Sequence, residues 1–185
     1  MINDITNDSE DRMKKSLVSL DTAFSRIRTG RAHPSILDGV QVSYYGSDMP
    51  LQQVANVIVE DARTLTISPW EKKMLGEIEK AIMKSNLGLN PSNNGDVIRV
   101  PMPMLTEQTR KEFTKHARAE AENARVAVRN IRRDANNHLK EILKEKAASE
   151  DDVRRAEQNI QKLTDSYVAI IDKKYSDKEV DLLSL

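Results

Sequence analysis

The chain has no cysteine among its 185 residues. That excludes a disulfide framework, a thiolate metal site and a cysteine nucleophile. Aromatic residues make up only 4%, so any core must be aliphatic side chains and alanine, as in helix bundles. His33, His116 and His138 are the only histidines and are too scattered to give a metal spacing. No apolar run approaches the roughly 20 residues of a membrane span. The acidic N-terminal segment from Met1 to Asp11 resembles neither a signal nor a transit peptide. A soluble, cytoplasmic protein is expected. There is no Gly-x-x-x-x-Gly-Lys loop, no Gly-x-Ser-x-Gly and no His-Glu-x-x-His, so no catalytic residue, metal or cofactor is expected, and an enzyme is the least supported reading.

The sharpest deficit is local. All 6 glycines and all 6 prolines lie between Gly30 and Pro103, and the flanking segments 1–29 and 104–185 have none. Glycine and proline are the strongest breakers of regular structure. The outer segments can therefore run as unbroken helices while the middle must turn often. This predicts an α+β protein: an antiparallel three-helix bundle from 1–29 and 106–185, with a small β/α/β sandwich inserted at 31–104. The two chain crossings would lie side by side and form a hinge at Thr29, Gly30 and Arg31 and at Pro103, Leu105 and Thr106.

Periodicity fills in the outer part. Met13, Leu17, Leu20, Phe24 and Ile27 repeat at coiled-coil spacing, predicting a helix from about Asn3, its N-cap, to Thr29. Thr106 is a good N-cap for a second helix reaching Lys146, with an inward stripe from Phe113 through Ala117, Ala121 and Val128 to Ile142. Ser149-Glu-Asp-Asp152 is a capping-box pattern. The third helix then has Val153, Ala156, Ile160, Leu163, Tyr167 and Ile170 inward, shifting towards Ile171, Tyr175, Leu182 and Leu185. The short link between the second and third helices makes them antiparallel neighbours. In the middle, strands are expected at Val40–Tyr45, Val54–Val59, Leu65–Ile67 and Val97–Val100, with Gly46–Pro50 and Asn90–Gly95 as turn and loop. A helix is expected over Glu71–Ser85, closed by Gly88. Trp70 is expected to pack at the sheet–helix junction.

A net charge of zero conceals an asymmetry. Residues 106–146 hold 11 Lys+Arg against 7 Asp+Glu, and residues 147–185 hold 6 against 9. On a helix Lys111, Lys115, Arg118, Arg125, Arg129, Arg132 and Arg133 fall within an arc of about 100°, centred about 125° from the apolar stripe. A solvated face is the ordinary fate of a charge run, but such faces usually mix signs to gain pairs four residues apart. Here only Glu122 interrupts, and arginine, whose planar fork suits phosphate, predominates. With Arg110 at its start, this stripe is the candidate RNA-binding surface. No aromatic platform for single strands shares the face, so structured RNA or duplex backbone is the better fit. The competing reading is a coiled-coil or chaperone-type interaction protein that self-associates through its seams; the RNA-docking reading expects a monomer.

Four blocks carry a family resemblance: Arg26-Ile-Arg-Thr-Gly-Arg-Ala32, Leu87-Gly-Leu-Asn-Pro91, Ile98-Arg-Val-Pro-Met-Pro103 and Arg125-Val-Ala-Val-Arg-Asn-Ile-Arg-Arg-Asp-Ala-Asn136. In this order and over the full length, they resemble the bacterial ribosome recycling factor family. The resemblance implies an L-shaped protein with the dimensions of a tRNA. It implies binding to the large ribosomal subunit after termination, and splitting of the subunits with elongation factor G and GTP. By position, Arg129 and Arg132 match the family's ribosomal-RNA contacts, and Arg28 and Arg31 match basic residues near the domain junction. The chain departs from the commoner pattern at His33 and Thr109.

Overall fold

The computed structural model describes residues 1–184. Four helices, α1 (Ile2–Ser25), α2 (Leu75–Lys84), α3 (Glu107–Lys144) and α4 (Glu150–Leu183), accompany six short strands. The chain divides into two compact units, Met1–Ile27 with Gln108–Ser184, and Arg28–Glu107. The fold class is α+β, as the sequence implies.

The first unit is α1, α3 and α4. Ala117, Ala121, Val128, Ile131, Ala135, Leu139 and Ile142 of α3 are buried, at helical spacing. Around one end, Ala135 and Leu139 pack with Val153, Ala156 and Ile160 of α4, and Ile2 and Ile5 of α1 close over them. That packing draws the first residues of α1 into the helix, so the expected N-cap Asn3 lies inside it and Ile5 N donates to Met1 O at 3.3 Å. α1 also stops earlier than expected, at Ser25, where tight bonds from Arg26 N to Ala23 O and from Ile27 N to Phe24 O close its last turn. Ile27 remains buried beyond the helix.

α3 ends at Lys144 rather than Lys146. With no glycine available, Lys146 takes the left-handed conformation (φ 57°) and Ala147 N bonds back to Ile142 O at 3.0 Å. Ser149 caps α4 as its sequence implies, its hydroxyl accepting from Asp152 N at 3.1 Å. Along α4 the inward line reaches Ile171 and Leu182 as expected, but the shift begins earlier: Thr164 is buried, Leu163 is only partly so, and Ile170 faces out. A strict 3.5-residue spacing drifts by roughly 20° per heptad on a 3.6-residue helix, so the buried line moves one residue ahead. Thr164 satisfies its hydroxyl by donating to Ile160 O at 2.8 Å. Leu185 lies outside the described residues.

In the second unit, β1 (Gln41–Tyr44) and β2 (Ser47–Pro50) form a hairpin, and β3 (Ala55–Asp61), β4 (Thr64–Pro69), β5 (Ser92–Asn93) and β6 (Ile98–Pro101) form an antiparallel sheet in the order β3-β4-β6-β5. Leu37, Val42, Leu51, Leu65, Ile67, Ile78, Ile82, Ile98 and Val100 make one core shared by hairpin, sheet and α2. Gly46–Pro50, expected as a turn, contains β2. The turn is only Tyr45-Gly46, because Pro50, which lacks a donor, pairs at the strand end opposite Gln41. Likewise Ser92 and Asn93 pair with Arg99 and Ile98 inside the expected loop. α2 is shorter than expected and ends before Gly88. Ser85 Oγ donates to Ile82 O at 2.5 Å and Asn86 turns left-handed at φ 56°. Trp70 is 66% exposed, against expectation. Met74 and Leu75 fill the junction instead, while Trp70 is held by its backbone N–H on Val54 O at 3.2 Å.

Candidate nucleic-acid interface

A 38-residue helix without glycine or proline is a rod of about 57 Å at 1.5 Å per residue. Its cations fall into two columns. Arg118, Arg125 and Arg132 are spaced by seven and lean towards α4. Arg118 Nε donates to Tyr175 OH at 3.2 Å, Arg125 Nε to Asp172 Oδ1 at 2.7 Å, and Arg132 Nη1 to Gln161 Oε1 at 3.4 Å. The partners run backwards along α4, as antiparallel packing requires. Lys111, Lys115, Arg129 and Arg133 form the outer column, with Glu122 among them, and all are exposed.

Glu122 ties the columns together, meeting Arg125 Nη1 at 3.0 Å and Arg129 Nη1 at 3.7 Å. Arg125 is only 17% exposed, whereas Arg129 is 46% exposed. Burial works against the charge of Arg125, but Asp172 and Glu122 outweigh it and hold the guanidinium above its ordinary pKa. Arg118 is also held charged, chiefly by Tyr175, whose hydroxyl donates on to Glu179 at 2.5 Å. Arg125 is therefore an internal strut of the bundle first. Arg110, in the first turn of α3, is half-buried with its Nε lacking a partner. The exposed cations of this face are Lys111, Lys115, Arg118, Arg129 and Arg133, with Arg132 half-buried beside them. The sequence could not separate these columns, because the pairs across helices join residues 29 to 57 positions apart.

The residues expected at the crossings also gather. Arg28, Thr29, Gly30, Arg31, Pro103 and Leu105 line one small cavity of about 40 Å³ with Ile36, Leu89 and Met102. Thr106 directly precedes α3. Gly30 has φ 77°, a conformation that glycine supplies without a steric penalty. Thr29 Oγ1 accepts from Arg31 N at 3.4 Å. Beyond these residues the chain is anchored to the β3–β4 turn: Ala32 N donates to Ala62 O at 2.8 Å, and Met102 N to Arg63 O at 2.7 Å. On the other side of the first crossing, half-buried Lys178 donates to Ile27 O at 3.1 Å. Burial lowers the pKa of Lys178. Sequence reasoning missed Lys178, which reads as one more surface cation of α4. His33 explains its own departure from the usual residue. Its Nδ1 caps the one-turn helix Pro34–Leu37 by accepting from Ser35 N at 3.1 Å, the task a small polar side chain usually performs.

Fold and stripe define a class: a two-unit α+β protein with a cationic helical face, and, among the described residues, no cluster able to hold a metal ion. Comparison with known proteins narrows it. Residues 20–183 match the model of the family described as ribosome recycling factor. The ribosome-recycling factors of Marinomonas sp. (strain MWYL1) and Saccharophagus degradans (strain 2-40) are 62% and 64% identical over 185 residues, with both chains covered in full. A solution structure of a ribosome recycling factor superposes with a TM-score of 0.77 at 36% identity, covering 100% of this chain and 98% of that one. A second structure, of the T. thermophilus ribosome recycling factor and E. coli elongation factor G bound to the E. coli post-termination complex, gives 0.67 at 44% identity, covering 99% of each chain. The chain belongs to the ribosome recycling factor family, whose members are non-enzymatic translation factors.

Proposed function

We propose that this chain docks on the large ribosomal subunit of post-termination complexes through the outer column of α3, on ribosomal RNA. There, with elongation factor G and GTP, it separates the subunits for reuse. The observation that carries this reading is the run of exposed cations at fixed spacing along one unbroken helix, an arrangement whose self-repulsion a phosphate backbone relieves. Arg28 and Arg31 add two cations at the first crossing. The crossings at 29–31 and 103–106 act as the hinge, because they lie beside the two places where the chain passes from one compact unit to the other. The work takes place in the cytoplasm, and the hydrolysis belongs to the partner.

The test is co-sedimentation with large subunits across a salt series. The wild-type chain should bind at low salt and leave at high salt. Replacing Arg129, Arg132 and Arg133 together by alanine should weaken binding at least tenfold with helicity intact. It should also flatten the slope of log K against log salt by about 0.7–0.9 for each phosphate that is no longer neutralised. Arg125→Ala should instead lower thermal stability, because it strands Asp172 and Glu122 at the α3–α4 seam. Unchanged affinity in the triple variant would sink the role given to the stripe.

A further inference from the structure

Charges that do not cancel meet halfway along α3. Two carboxylates reach Arg125: Asp172 Oδ1 lies 2.7 Å from its Nε, and Glu122 Oε2 lies 3.0 Å from its Nη1. A guanidinium carries a single positive charge, so one unit of negative charge is left over. Asp172 comes from α4 and pairs with Arg125 at the seam, where the arginine side chain is 17% exposed. The Glu122 side chain is 55% exposed. The surplus charge therefore sits at the surface, on Glu122. Its other oxygen, Oε1, lies 3.7 Å from Nη1 of Arg129 in the outer column.

A glutamate alone in solvent holds such a position weakly, because an exposed pair must restrain two long side chains. Glu122 is restrained already. Its bond to Arg125, one turn further along the helix, fixes the carboxylate beside Arg129. A carboxylate offers a guanidinium the same kind of oxygen acceptors as a phosphate does. Glu122 thus places an acceptor among the cations where a bound anion would have its own.

We propose that Glu122 is a built-in competitor of the RNA backbone, which engages Arg129 in the free protein, yields it to a phosphate on docking, and so keeps the affinity of the stripe low enough for the factor to leave. The proposal rests on the functional reading above and adds the residue that limits how tightly the stripe holds. A factor that serves one ribosome after another must depart as well as bind, and a row of unopposed cations favours staying. One carboxylate lowers the affinity without deleting a contact, since phosphate can replace it on the same guanidinium. Arg125 keeps Asp172 throughout, so the exchange leaves the α3–α4 seam intact.

The competing role is that of a strut for Arg125 alone. Glu122→Gln separates the two, because it keeps the length of the side chain and removes its charge. As a competitor, its loss should raise affinity for large subunits about two- to fivefold, the size of one exposed ion pair. The slope of log K against log salt should steepen by up to about 0.7–0.9, the share of one phosphate. Tm should stay within about 2 °C of wild type, because Asp172 still holds Arg125. A strut would instead give a lower Tm and no gain in affinity.

Two further variants exclude a bulk effect of charge. Glu120→Gln removes the same charge two residues away, from a pair with His116 at 3.3 Å on another face of α3, and should leave affinity within about 1.5-fold of wild type. In an Arg129→Ala background Glu122→Gln should bring no gain, since the group it competes for is gone. Unchanged affinity in Glu122→Gln, an equal gain in Glu120→Gln, or a gain that persists without Arg129 overturns the proposal. The triple arginine replacement tests separately whether the stripe docks at all. If that variant binds weakly while Glu122→Gln binds as wild type, the competitor falls and the docking surface stands.

Discussion

The bundle and the insert bury their cores in different ways. In the first unit three helices of 24, 38 and 34 residues repeat one spacing, and the buried side chains of α3 include four alanines, Ala117, Ala121, Ala124 and Ala135. In the second unit no helix exceeds 10 residues and no strand exceeds 7. Its core is made of larger residues such as Leu37, Leu65, Ile67, Ile78 and Ile98, brought together by turns. The bundle keeps its surface cations in rows because a straight helix keeps register over its whole length. The insert sets single side chains at corners, as Tyr45 and its hydrogen bond to Glu71 show, because its backbone changes direction every few residues. Periodic structure suits a periodic ligand such as a nucleic-acid backbone, and irregular structure suits a single contact.

That contrast can be broken most forcefully in the two cores. Ile160 and Ile78 are both fully buried, one in each unit. Truncation of either to alanine should cost about 2–5 kcal/mol. Hydrogen exchange should rise in the unit that carries the change and stay near wild type in the other. Equal loss of protection in both units would mean that they unfold as one body.

A smaller effect is expected at the first crossing. Gly30→Ala puts a Cβ on a left-handed residue, a strain of about 1–2 kcal/mol. Subunit binding should remain within twofold of wild type while subunit splitting slows more. Equal loss of both would argue against a joint that moves. Smaller again is Ser149→Ala, which removes the side-chain cap of α4 and should cost about 1 kcal/mol, read by thermal melting of the bundle.

The smallest effect is a pH dependence confined to the insert. Tyr44, and then Tyr45, hold the Glu71 carboxyl below its ordinary value of 4.5, and Lys72 does the same for Asp96. A carboxyl whose folded pKa is depressed contributes stability above its unfolded value and loses that contribution as pH falls through the folded one. The insert should therefore weaken below about pH 4.5. The double change of Tyr44 and Tyr45 to phenylalanine should flatten that acid limb in a melt followed by tryptophan fluorescence.

Much of this was legible in the chain before any coordinates. Helical spacing placed α3 and α4 to within two residues at most ends and named nearly all of the buried face of α3, because every third or fourth residue of a long helix reports its surroundings. Each error has its own cause. Leu163 and Ile170 turn on drift over several heptads, β2 and β5 are too short to show alternation, and Trp70 is placed by the habit of its residue type, although Met74 and Leu75 occupy the junction. At the stripe the sequence gathered the cations of one helix face, but not which of them were already engaged. Asp172, Gln161 and Tyr175, which decide that, carry no local signal pointing to α3.

By itself, then, the sequence determined the long helices, the turn-rich middle and the family, because breaker residues, apolar periodicity and ordered motifs are properties of neighbouring positions. Only the tertiary structure decided that Arg125 is a strut while Arg129 and Arg133 are exposed, that Lys178 fastens the chain just beyond α1, and that two tyrosines share Glu71. Each of these depends on groups 26 or more positions apart meeting within hydrogen-bond distance or failing to. Whether a charge is spent on a neighbour or left to a partner is settled by that geometry and not by composition.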